Sequence, residues 1–245
     1  METGAHIAAL DLAGRAYLSA AEATDWRAEV PSCPGWRLDD LTRHLGNVHR
    51  WAERFVRERL TERVPPPEER PSEGELADWF AEGLAALLAT LRAADETTGC
   101  FTFLPGSPNG RAFWARRQAH ETTVHLMDAQ LAAGRTPSPT PAALALDGID
   151  EFLTGFHART RSRVRSAAPR VFSVRADEGP EWTVHLTEDP PRTRRGPAER
   201  FDCRVSGPAA DLYAALWGRL PWEAPPLRAT GDASVLTLWR ERSAV

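Results

Sequence analysis

Residues 119–128 read AHETTVHLMD, and the spacing inside this stretch decides what fold the chain requires. Glu121 and His125 stand four residues apart, which on an α-helix places them one above the other on the same face. A carboxylate and an imidazole so placed can share one metal ion, and Asp128 falls a further turn along that face. The pattern differs from the zinc-protease motif H-E-x-x-H. His120 and His125 are five residues apart, about 140° around a helix of 3.6 residues per turn, so their rings cannot chelate one ion together. The usable pair is Glu121 with His125, and a third ligand has to come from another helix.

The best donor is His44, in the segment 31–51, PSCPGWRLDDLTRHLGNVHRW. Pro34–Gly35 marks a turn, Trp36 can pack as a staple, and Asp39 and Asp40 suit the positive end of a helix dipole. Leu41, Leu45 and Val48 form an apolar stripe beside His44. His49 is five residues from His44 and points elsewhere. Two histidines and one glutamate make the three-ligand set of catalytic zinc, with room left for water or substrate. Structural zinc sites usually close with four ligands, often cysteines, and the chain has no C-x-x-C pair. Asp128 reads equally well as outer support for a ligating imidazole or as a helix salt bridge to an arginine. His49 and His120 read as structural or solvent-facing, and Cys33, beside a turn, as a small buried residue with a reactive thiol as the alternative.

The segments PSCPGWRLDDLTRHLG and RRQAHETTVHLMDAQ resemble the metal-binding N-terminal domain of the mycothiol-dependent maleylpyruvate isomerase family, part of the wider DinB-like group of metal-binding four-helix bundles. The run from Val205 to Arg240, VSGPAADLYAALWGRLPWEAPPLRATGDASVLTLWR, resembles the small α/β domain that follows it in that family. The likeness covers most of the chain and is weakest around 60–110 and 165–200. Carried over by position, it implies metal ligands at His44, Glu121 and His125 and an arginine implicated in activity at Arg219, in the WGR motif. A Thr or Ser helix cap is common after the Trp in this family, and here Arg37 stands there. A lost cap costs roughly 1 kcal/mol and shifts a helix start without touching the ligands.

At 245 residues the chain has ample core for one large or two modest domains. No apolar run approaches the length of a membrane span. The start, METGAHIAALDLAGR, shows no basic stretch followed by an apolar core, so no secretory signal is read and a cytoplasmic location is expected. Cys33, Cys100 and Cys203 are odd in number and widely spaced, as expected of reduced thiols. A net charge of −4 argues against a nucleic-acid surface. All 30 basic residues are arginine, a composition associated with GC-rich genomes. Schiff-base chemistry by a lysine side chain is thereby excluded, while guanidinium groups remain for carboxylate capture. Neither a phosphate-cradling glycine loop nor a Ser-His-Asp triad can be assembled.

The periodicity predicts helices over about 6–23, 38–60, 72–94, 111–133 and 141–165. Ser72 and Glu75 have the spacing of a capping box, and Gly134 ends the fourth helix. Short strands follow over 171–175, 182–186 and 201–205, then helices over 208–217 and 232–240. The expected class is α+β: an up-and-down four-helix bundle over residues 1–165, followed by a smaller α/β domain over 166–245. The resemblance implies a divalent metal, zinc first, with nickel, iron or manganese compatible, and mycothiol or a similar thiol as co-substrate. The implied partners are a small thiol and a small carboxylated electrophile that is isomerised or conjugated, with no nucleic acid and no membrane, in a monomer or homodimer. Two further readings stay open: a metal-binding sensor or stress module without turnover, and a thiol-independent metal hydrolase.

Overall fold

The computed structural model describes residues 1–244. The chain divides into two compact units, Met1–Ser138 and Pro139–Val245. The first is built on four helices: α1 (Thr3–Glu22), α2 (Leu38–Glu58), α3 (Leu76–Ala93) and α4 (Gly110–Ala132). α1 packs against α3 and α4, and α2 packs against the same two. Each helix turns a Leu- and aromatic-rich stripe inward, so that Leu10, Tyr17, Leu41, Leu45, Phe55, Phe80, Leu87, Leu91 and Trp114 are all fully buried. Two glycines set how closely α3 lies. A Cβ on Gly14 would fall 2.4 Å from Leu84, and one on Gly46 would fall 2.1 Å from the Trp79 ring.

The helix ends follow local chemistry. Arg37 offers no side-chain cap, but its backbone N–H donates to the Asp40 carboxylate at 3.1 Å, so the acidic pair predicted to favour the dipole also caps α2. Ser72 and Glu75 form the expected capping box, closing a 3₁₀ turn over Glu73–Glu75 that leads into α3. Asn109 caps α4 by accepting from the Ala112 N–H at 2.8 Å, and Gly134, at φ 68°, follows its C-terminus.

The second unit starts earlier than the expected boundary at 165–166. Its first helix, α5 (Ala142–Asp150), packs against α6 (Ala209–Leu216) of the same unit. The single helix expected over 141–165 is also shorter. After Asp150 the backbone widens into a π-helical turn over Glu151–Phe156, where the Thr154 hydroxyl donates to the Asp150 carbonyl at 2.7 Å. Five strands then form one mixed sheet: β1 (Arg170–Ala176), β2 (Glu181–Leu186), β3 (Arg192–Arg195), β4 (Cys203–Gly207) and β5 (Arg228–Gly231). The order is β3-β2-β1-β4-β5, with β1 and β4 parallel and the other neighbours antiparallel. α6 and α7 (Ala233–Arg242) pack on β1 and β4, burying Phe172, Val174 and Val205 together with Trp239. The sequence reading missed β3 and β5, the two edge strands. RTRR and RATG carry no apolar alternation, because neither strand has a face in the core. Among the described residues, no helix is long and apolar enough to cross a membrane.

Candidate metal centre

α2 and α4 bring His44, Glu121 and His125 together, with one donor atom of each lying within 4.8 Å of the others. Glu121 Oε1 stands 3.5 Å from His44 Nε2 and 3.4 Å from His125 Nε2. Those separations exceed the roughly 2.9 Å of an N–H···O hydrogen bond. They match the edge of a tetrahedron around zinc, about 3.4 Å for bonds of about 2.1 Å. The donor set therefore fits a divalent cation. Exposure is graded across it, from 37% for the His44 side chain through 23% for Glu121 to 11% for His125, so the group opens on the His44 side.

His125 is oriented from behind. Its Nδ1 pairs with Asp128 Oδ2 at 2.8 Å, and Asp128 is fully buried. With Nδ1–H held there, Nε2 is the ring atom turned toward Glu121, where binding an ion would displace its proton. Burial opposes charging the His125 ring, but its hydrogen bond to Asp128 and the neighbouring Glu121 carboxylate prevail and raise its pKa to about 9. Burial likewise works against an ionised Glu121. Contacts with His125 and His44 and the charge of Arg117 outweigh it and hold the carboxyl well below the usual carboxylate range. Glu121 Oε2 accepts from Arg117 at 3.2 Å, an i,i+4 pair whose arginine is buried. Arg117 was legible from that spacing, yet the sequence reading passed over it.

The Asp128 carboxylate also joins the centre to the loop before α2. Ser32 Oγ donates to Oδ1 in a short hydrogen bond, and Cys33 Sγ lies 3.7 Å from Oδ2. Cys33 is thus half-buried with its thiol turned to a carboxylate, a correction to its reading as a simple buried filler. Trp36, from the same loop, meets the His44 ring edge-on at 5.1 Å, and His44 meets His125 at 5.2 Å. His49 and His120 lie outside the cluster and are fully buried; His49 Nε2 pairs with Thr122 Oγ1 at 2.9 Å, and burial lowers its pKa to about 3. Arg219 belongs to the second unit, where its Nη1 donates to the Trp217 carbonyl at 2.6 Å.

Comparison with known proteins gives a family. Residues 7–130 match the mycothiol maleylpyruvate isomerase N-terminal domain, and residues 143–238 match the C-terminal domain that goes with it. No curated protein matches the chain in sequence. Among solved structures, the mycothiol-dependent maleylpyruvate isomerase superposes with a TM-score of 0.64, and a histidine-to-alanine mutant of that name with 0.65. Each is 14% identical, over 95% of this chain and 95% of the other, a likeness of fold. With both domain models matched in order along its length, the chain belongs to the mycothiol maleylpyruvate isomerase family.

Proposed function

We propose that the protein is a divalent-metal-dependent enzyme that uses a mycothiol-type thiol to isomerise a small, carboxylated electrophile. The observation that carries this reading is the convergence of the His44, Glu121 and His125 donor atoms, open on one side, in a chain of this family. These three residues would hold the ion; zinc is the first candidate, and two imidazoles with one carboxylate also accept nickel, iron or manganese. When bound, such an ion supplies Lewis acidity that lowers the pKa of a thiol and favours its thiolate.

The protein's own groups prepare that chemistry. Asp128 fixes the tautomer and tilt of His125, and Arg117 engages Glu121 Oε2 so that Oε1 faces the imidazoles. His44, the most open of the three, marks the side from which the thiol enters. The thiolate adds to one carbon of the substrate double bond as the π pair moves onto the conjugated carbonyl to give an enolate. The former double bond, now single, rotates, and collapse of the enolate expels the thiolate and restores the double bond in the other geometry. No net redox change or loss of atoms occurs. Arg219 takes its role from the family resemblance: there it would hold the substrate carboxylate through two parallel hydrogen bonds or stabilise the enolate that forms on addition. Its test is kinetic: R219A should keep its metal and lose kcat/KM, and an unchanged ratio removes Arg219 from the reaction.

The reading as a whole is tested by mixing zinc- or nickel-loaded protein with mycothiol and maleylpyruvate and following formation of the trans isomer. Turnover should require both thiol and metal. Isomerisation that persists after chelation would overturn metal dependence, and substrate consumed in thiol-free buffer without formation of the trans isomer would favour a metal-assisted hydrolase instead.

A further inference from the structure

Trp36 is one of the few large apolar side chains exposed in this protein, at 36% of its surface. Water contact at an indole gives up stabilisation that burial would supply, so its place next to the metal centre calls for an account. The ring stands edge-on to His44 with centroids 5.1 Å apart, on the side where the ligand cluster opens. The backbone that carries it is pinned from both directions. Trp36 N–H donates to the Cys33 carbonyl and its own carbonyl accepts from Val30 N–H, each at 3.0 Å. Gly35, at φ 85°, supplies the turn between them, and Glu29 and Arg37 pair across the loop. Trp51, Trp79 and Trp114 of the same unit donate their indole N–H to oxygen, whereas Nε1 of Trp36, like that of Trp26, has no protein partner among the described residues. A rigidly held π face with a spare N–H donor, beside an open metal centre, is the equipment of a binding contact.

We propose that Trp36 receives the ring portion of the thiol co-substrate: its indole packs against the C–H face of a polyhydroxylated six-membered ring, and Nε1–H donates to one of that ring's hydroxyls. Mycothiol has this chemistry, an acylated cysteine joined to two such rings. The inference rests on the functional reading above and deepens it by assigning the residue that selects a glycosylated thiol over a bare one. A purely structural Trp36, steadying His44, would instead affect every thiol alike.

The test is calorimetric titration of the zinc-loaded full chain and of W36A and W36F, with mycothiol and with N-acetylcysteine, which keeps the thiol and lacks the rings. Zinc content and melting temperature are measured on all three proteins. W36A should weaken mycothiol binding about tenfold or more, W36F by less, with N-acetylcysteine affinity and zinc content unchanged. Unaltered mycothiol affinity in W36A, or an equal loss for both thiols, overturns the proposal. Wild-type turnover beside an unaltered W36A overturns the contact alone. Trp36-dependent mycothiol binding in a protein without turnover overturns the isomerase reading alone, and a wild type that binds neither thiol overturns both.

Discussion

Replacing Asp128 by Asn removes one negative charge from behind His125 while keeping the shape of the side chain. The carboxylate is fully buried and takes hydrogen bonds from His125 Nδ1 and Ser32 Oγ. In D128N the amide oxygen can still accept from His125, and its NH2 can donate to Ser32, so the fold loses little. What changes is the quality of the bond. A charge-assisted hydrogen bond becomes a neutral one, about half as strong, and His125 becomes a poorer electron donor through Nε2. Loss of such an outer partner typically lowers metal affinity about 10- to 100-fold, or about 1.4 to 2.7 kcal/mol. D128A should add a stability cost of about 1 to 3 kcal/mol, because it strands the His125 N–H in a buried site. Competition titration of zinc against a chelating dye measures the affinity, and denaturant unfolding of the metal-free proteins measures stability. In an H125A background, D128N should add nothing to the affinity loss if it acts through that ring. Wild-type zinc affinity in D128N, or a full additional loss in the double variant, would refute the reasoning.

Three further outcomes follow from the same geometry. G46A forces a Cβ against the Trp79 ring, at 2.1 Å if nothing moves; a cost of about 1 to 3 kcal/mol should appear as a lower melting temperature by circular dichroism, and an unchanged value would show that α3 can shift freely. Burial lowers His49 to about 3 and His157 to about 4, against an ordinary 6.5. The unfolded chain therefore binds these protons first, so stability present above about pH 6.5 should fall by about 2 to 3 kcal/mol per ring at about pH 4.5; unfolding midpoints that stay level across that interval would contradict it. R117Q should weaken metal binding by releasing Glu121 Oε2, which the same dye titration reads, and an unchanged affinity would leave Arg117 as packing alone.

The parts of this protein that were legible in its sequence are those written in local spacing. Glu121 and His125 had to share a helical face, Ser72 and Glu75 had to close a helix start, and the apolar alternation of β1, β2 and β4 marked buried strands. The edge strands β3 and β5 were silent because polar residues on a solvated edge carry no period. Part of the extra length assigned to α5 is the π-turn over Glu151–Phe156, which shares a helical pattern; residues 157–165 instead form turn and irregular backbone. At the metal centre, ligand identity followed from spacing together with a family resemblance. The tie from Ser32 to Asp128 spans 96 positions, and Trp36 beside His44 depends on how the loop before α2 turns at Gly35; no local pattern encodes either.

The central claim, that His44, Glu121 and His125 hold a divalent ion, is tested most directly by elemental analysis of purified wild type beside H125A. The account predicts about one equivalent of metal in wild type and almost none in the variant, as expected when one of three protein ligands is removed. Equal metal in the two proteins, or none in either after incubation with zinc or nickel, would contradict it.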